Sequence, residues 1–159
     1  MNTEKKTIVL GEPITMEQFI AVCRFGAQVE FSDDYCQRVR KSRQRVDEEK
    51  VMYGVTTGFG ALCTKAISKE ETAKLQENII LSHSVSLGEP LSIERVRGIM
   101  LMILQNLGQG YSGVRLELLE QYRQFLNRGL TPWAPGDGSV GYLSPEAHMA
   151  LVLIGRGKA

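Results

Sequence analysis

Apolar residues return along most of this chain at steps of three and four, the spacing that lines up one face of an α-helix. Behind Met16 the positions are Phe19, Ile20 and Cys23; between Lys69 and about Val85 they are Ala73, Leu75, Ile79, Ile80 and Leu81, predicting a helix that buries more as it proceeds. Ile93 to Leu107 contains "IMLMILQNL" and is apolar on several sides, which predicts a central helix. Asp33 to about Glu49 is so rich in Arg and Lys that only a narrow apolar stripe is left, the mark of a broad solvated face. A further helix is predicted from Val114 to Asn127, with Gly129 just past its end.

Polar punctuation supports these boundaries. Thr15 with Gln18 and Ser68 with Glu71 have capping-box spacing, while Ser32 and Ser92 are simple N-caps, the former followed by Asp33 and Asp34. Gly88 is the expected stop of the helix that begins at Lys69. A last helix is predicted with Ser144 as N-cap, Pro145 as its first residue and "AHMALVLIG" as its body. Only "TIVLG", near the start, reads as a strand, so the fold class is mainly α. The long irregular pieces are 50 to 67 and 129 to 143, both rich in glycine.

Composition mainly excludes. At 159 residues the chain fits one domain, and a net charge of +1 gives no pull toward nucleic acid or an anionic membrane. No apolar run approaches the length of a bilayer span. Cys23, Cys36 and Cys63 are odd in number and lack CxxC spacing, which speaks against a disulfide framework or zinc site and for a reducing compartment. The opening "MNTEKKTIVLGEP" is too poor in apolar residues for a signal peptide, and the location expected is cytoplasmic. Two separated histidines, His83 and His148, make no metal site.

Candidate chemistry lies in the two glycine-rich pieces. In "GDGSVGYLSPEAHM", Gly136, Gly138 and Gly141 match GxGxxG, but Pro132 and Pro135 oppose a buried parallel strand in front, and no second strand follows before Ala159. A P-loop fails because no Gly-Lys pair precedes a Ser or Thr. What remains is a bare loop delivered to the positive end of a helix, suited to stabilising negative charge. A plain connection between helices accounts for the same residues. The other piece, "YGVTTGFG", sets Tyr53 among Gly54, Gly58 and Gly60, and a phenol becomes a useful base only where a site favours its deprotonation.

Taken in order, "YGVTTGFG", "LQENIILSHSVSLGEPL", "GQGYSGVRLELLEQYRQFLNRGLTPWAPGDGSVG" and "LSPEAHMALVLIGRGKA" resemble the amino-terminal part of the aromatic amino acid lyases, and the histidine ammonia-lyases most among them. The likeness runs from about Val51 to Ala159. It implies a mainly α, aspartase/fumarase-like architecture of which residues 1–159 form the amino-terminal domain, roughly the first third of a member. Loops 50–67 and 129–143 would be site segments. The activity implied is elimination of ammonia from an aromatic L-amino acid, L-histidine to urocanate first among them. Tyr53 would be the catalytic base, His83 and Gly60 would face the substrate, and His148 has a structural role. Partners implied are the amino acid substrate, the rest of the lyase on another chain or missing, and further copies in a homotetramer.

The cofactor implied is methylidene-imidazolone, MIO, which members form by cyclising an Ala-Ser-Gly in this loop. Here Gly141 runs straight into Tyr142, and the tripeptide is absent between these two flanking residues. Two accounts fit: the three residues have fused into one modified residue at that point, or they are deleted. The second leads to a different function, a non-catalytic homologue that serves as a binding or regulatory module.

Overall fold

The computed structural model describes residues 6–48, 51–58, 64, 67–138 and 143–159. Gly60, Cys63, Gly141 and Tyr142 lie outside the described residues. Within them the order is β1 (Thr7–Leu10), α1 (Met16–Cys23), β2 (Gln28–Phe31), α2 (Asp33–Asp47), α3 (Lys69–His83), β3 (Leu87–Pro90), α4 (Ile93–Leu107), α5 (Leu116–Arg128), β4 (Pro135–Asp137) and α6 (Leu143–Leu153). The mainly α class holds, and four N-caps stand where the polar residues placed them. Thr15 and Ser68 form reciprocal capping boxes with Gln18 and Glu71, and the Ser32 and Ser92 hydroxyls accept from Tyr35 and Arg95 N–H. Gly129 ends α5 in the left-handed conformation, with φ of 73°, where a side chain would be strained.

Central placement of α4 follows from its sequence. Val96, Met100, Leu101, Ile103 and Leu104 are buried in one cluster with Val22, Leu119 and Leu126 from α1 and α5. Arg97 lies in the same interior, 5% exposed. Its Nε and Nη2 donate to the Val22 carbonyl at 3.1 and 2.8 Å, and its Nη1 donates to the Leu126 carbonyl at 3.0 Å. Those carbonyls belong to the last turns of α1 and α5, where helix carbonyls lack intrahelical partners and carry partial negative charge. Burial lowers the Arg97 pKa from the ordinary arginine value. Tyr35 of α2 reaches the same helix, donating its hydroxyl to the Leu104 carbonyl at 2.8 Å.

Three strands were not predicted. β1 and β2 run parallel, Thr7 opposite Gln28 and Leu10 opposite Phe31, with α1 as the crossover. β3 and β4 are antiparallel, Leu87 opposite Asp137 and Pro90 opposite Pro135. "QVEF" carries two strand formers but is only four residues long, while "LGEP" and "PGD" are built on Gly and Pro, so in these last two pairing rather than propensity makes the strand. The Asn127 side chain also substitutes for a strand neighbour, accepting from Val29 N–H at 2.8 Å and donating to its carbonyl at 2.9 Å.

α3 corrects a second expectation. None of its described side chains is buried, and Leu81 is 43% exposed, because α3 packs on α6 rather than into the α1–α4–α5 cluster. The stop differs as well: α3 ends at His83 with Ser84 as C-cap, while Gly88, with φ of 83°, belongs to β3. α5 begins at Leu116, two residues later than predicted. Replacing Arg97 by Met should strip the Val22 carbonyl of its Arg97 donors and leave the Leu126 carbonyl only the Gly129 N–H, reducing unfolding free energy by about 3 kcal/mol, read from the urea midpoint.

Candidate functional site

Tyr53 sits on a tight turn fixed from both sides. Val55 and Thr56 N–H donate to the Met52 carbonyl at 3.2 and 3.0 Å, and Met52 N–H donates to the Thr56 hydroxyl at 2.8 Å. Gly54 takes φ of 69° and its N–H donates to Thr57 Oγ1 at 3.3 Å, while Thr57 is buried. Tyr53 is held out on this turn, 65% exposed.

Two bonds seat the turn. Ile67 N–H donates to the Thr56 carbonyl at 3.1 Å, just before the α3 cap, and Gln76 of α3 donates its side-chain amide to the Gly54 carbonyl at 3.2 Å. His83 lies seven residues past Gln76, which is two turns along the same helix face, or about 10 Å. Tyr53's turn and His83 therefore share one face of α3. At His83, Nδ1 lies 2.8 Å from the Ile79 carbonyl and 3.1 Å from the Ser82 hydroxyl. A carbonyl can only accept, so the ring proton belongs on Nδ1, which leaves Nε2 as an acceptor on a half-buried side chain.

Three residues beyond His83 the chain meets the glycine-rich loop at both of its ends. Ser86 is 8% exposed; its N–H donates to Nε2 of His148 on α6 at 3.1 Å, and its hydroxyl is hydrogen-bonded to that of Ser144 at the start of α6. On the entering side, β4 is paired with β3, and the Leu91 N–H donates to the Ala134 carbonyl at 2.9 Å. Gly138, which follows β4, lies so close to the Ser86 and Ser144 hydroxyls that a Cβ there would collide with both. Gly138 and Ser144 are thus neighbours in space.

Ser144 corrects the predicted start of α6. The helix begins at Leu143, so Ser144 and Pro145 occupy its first turn, and Pro145 takes one of the positions whose N–H has no intrahelical acceptor in any case. His148 is 7% exposed and stands edge-on to Trp133 at 6.4 Å between ring centroids. Burial pushes its pKa below the ordinary histidine value and pushes that of Glu146 above the ordinary carboxylate value. The structural role read for His148 is in keeping with this position. Sequence reasoning missed Ser86, Ser144 and Gln76 as holders of the site, since their partners lie 62, 58 and 22 residues away.

The described residues contain no cluster of three metal-ligating side chains, and none of their helices is long and apolar enough to cross a membrane. Cys23 and Cys36 are free thiols; burial pushes Cys23 up to about 11.

A family model for aromatic amino acid lyases matches residues 14–159. Histidine ammonia-lyase 1 of Fusobacterium nucleatum is 48% identical over 96% of this chain, which spans 31% of that relative's length. The alignment runs over 160 positions, more than this chain supplies, so the relative carries residues with no counterpart here. Among solved structures, the ergothioneine-degrading enzyme of Treponema denticola superposes with a TM-score of 0.89 at 32% identity, over 96% of this chain and 32% of that one. The histidine ammonia-lyase of Trypanosoma cruzi gives 0.84 at 34% identity, over 94% and 30%. The chain thus spans about a third of the length of the proteins it matches.

Replacing Gly138 by Ala should force the Ser86 and Ser144 hydroxyls apart and reduce stability by about 2 kcal/mol, whereas the same change at Gly136, where a Cβ meets only ordinary or slightly tight contacts, should have a smaller effect. Parallel chemical denaturation of the two variants checks this.

Proposed function

The chain belongs to the aromatic amino acid lyase family, and from that premise we propose that it is the amino-terminal part of an ammonia-lyase acting on an aromatic L-amino acid, with L-histidine the preferred substrate. The observation that carries the reading is the convergence on α3: the Tyr53 turn and His83 lie on one face of this helix, and both ends of the glycine-rich loop are held just past its end.

In this reading the reaction removes a β-proton and the α-amino group, so that the electrons of the broken C–H bond form the C=C bond and those of the C–N bond leave with ammonia. Tyr53, exposed on its turn, is the base that receives the β-proton. Nε2 of His83, an acceptor by the tautomer its Nδ1 partner imposes, takes a hydrogen bond from the N–H of a substrate imidazole. That choice agrees with histidine ammonia-lyases at 48% and 34% identity. Gly60 is assigned beside the substrate, and Gly141 and Tyr142 beside the position of the prosthetic group.

MIO would supply an electrophile that makes the amino group leave more readily. As standard residues, Ser139-Val140-Gly141-Tyr142 do not fit it, for none of the Ala-Ser-Gly atoms from which the ring is built stands between Gly141 and Tyr142. The MIO reading rests on fusion of the three missing residues into one group between Gly141 and Tyr142, in a segment whose flanks Gly138 and Ser144 lie close together. The same missing tripeptide supports a second reading, in which the fold survives as an amino acid-binding or regulatory module.

The remainder of the site is assigned to further parts of the lyase and to neighbouring subunits of a homotetramer in the cytoplasm. Exposed Leu81, Val85 and Leu87, at the end of α3 and in β3, support coverage of this edge by such a partner.

Intact mass of the denatured chain, with a peptide map across Pro135 to Met149, tests the prosthetic group. An excess equal to Ala-Ser-Gly less two waters, between Gly141 and Tyr142, is the result expected of a lyase; a peptide matching the sequence leaves the binding module. In the complete lyase, Tyr53→Phe should reduce kcat for histidine by at least about 100-fold with little change in KM. The 159-residue chain alone should release no ammonia from histidine.

A further inference from the structure

The contact between Ser86 and His148 joins α3 to α6 at the point where the glycine-rich loop starts and returns. Ser86 N–H is a buried donor, and such a group is costly to leave unmade. Its acceptor is Nε2 of a neutral imidazole at 3.1 Å, which requires the ring proton of His148 to be on Nδ1. The Ser86 hydroxyl is bonded to Ser144, and the two hydroxyls together occupy the space over Gly138. One imidazole nitrogen thus fixes the residue that touches both loop anchors.

We propose that His148 is a positioning residue, whose neutral imidazole holds Ser86 and through it aligns Gly138, Ser144 and the His83 end of α3, and whose protonation opens this clasp. A proton on Nε2 turns the acceptor into a donor facing the Ser86 N–H, so the bond cannot persist in the imidazolium form. The direction is definite: the clasp is formed at neutral pH and is lost as pH falls. Burial favours the neutral ring and moves the loss below the ordinary histidine range.

Charged and titratable groups on the surrounding elements include Glu146 on α6 itself, Glu71, Lys74, Glu77 and His83 on α3, Glu89 on β3, Asp137 on β4, and Arg156 and Lys158 after α6. Glu77 is engaged by Arg156, and the Lys158 ammonium lies over the Trp133 ring that His148 meets edge-on. Burial lowers the His148 pKa from the ordinary histidine value, in the direction that favours the neutral ring.

The catalytic consequence rests on the reading of the loop as part of a lyase site, but the clasp can be read without activity. In the full chain, the protection factor of the Ser86 amide against hydrogen exchange, taken relative to the intrinsic rate at each pH, should fall at least about tenfold between about pH 8 and pH 5. His148→Gln carries a side-chain oxygen that can accept in place of Nε2 and does not titrate; it should keep the protection and remove the pH dependence. His148→Phe preserves ring packing against Trp133 without an acceptor, and should lose protection at all pH values. Protection in the unmodified chain that is flat over this range overturns the proposal and needs no variant. So does a Phe variant as protected as the parent, which would assign His148 to packing alone. Either result leaves the lyase reading standing, since that is decided by mass and turnover.

Discussion

A buried backbone donor with a side-chain acceptor, Ser86 N–H on His148 Nε2, joins the two helices at the candidate site. The N–H of Ser86 has left helix α3 and has not entered the β3–β4 pairing, so neither element supplies its partner. His148, on the last helix, supplies it instead. Because a lost bond there would leave a desolvated amide, the separation of α3 and α6 is set to the reach of an imidazole. Everything at the loop follows: the Ser86 hydroxyl meets Ser144, the space left above the pair admits no Cβ, and the chain must pass at Gly138.

The core and the candidate site are built differently. α1, α4 and α5 enclose an apolar cluster, and the Arg97 guanidinium inside it is hydrogen-bonded to carbonyls at the ends of two helices rather than to a carboxylate. α3 buries none of its described side chains and depends on α6, on the Gln76 contact to the Tyr53 turn, and on its own two caps. A helix so lightly packed leaves His83 half-buried at its end and carries the turn on which Tyr53 is exposed.

Much of the helical scaffold was legible from short-range chemistry. A Thr or Ser with a Gln or Glu three residues on satisfies two backbone donors wherever it occurs, and so Thr15 and Ser68 marked true starts. The apolar breadth of Ile93 to Leu107 marked the central helix because a helix apolar on several sides must be enclosed. Gly88 misled: His83 and Ser84 end α3 by turning their side chains back on the Ile79 and Ile80 carbonyls, and the glycine serves a strand five residues beyond His83. Ser144 misled too, since its hydroxyl is held by Ser86, and the helix begins one residue before it.

By itself the sequence determined the mainly α class, the capped helix starts, the family, and the absence of Ala-Ser-Gly between Gly141 and Tyr142. These rest on neighbours within a few residues or on the order of letters, which folding does not alter. Tertiary structure alone decided that Tyr53's turn hangs from Gln76, that His83 shares that face, and that Ser86 binds His148 across 62 residues. It also made strands of "LGEP" and "PGD". The reason is common to all of them: a polar backbone group withdrawn from water takes whatever partner the packed chain brings within reach, and no local pattern specifies which one that will be.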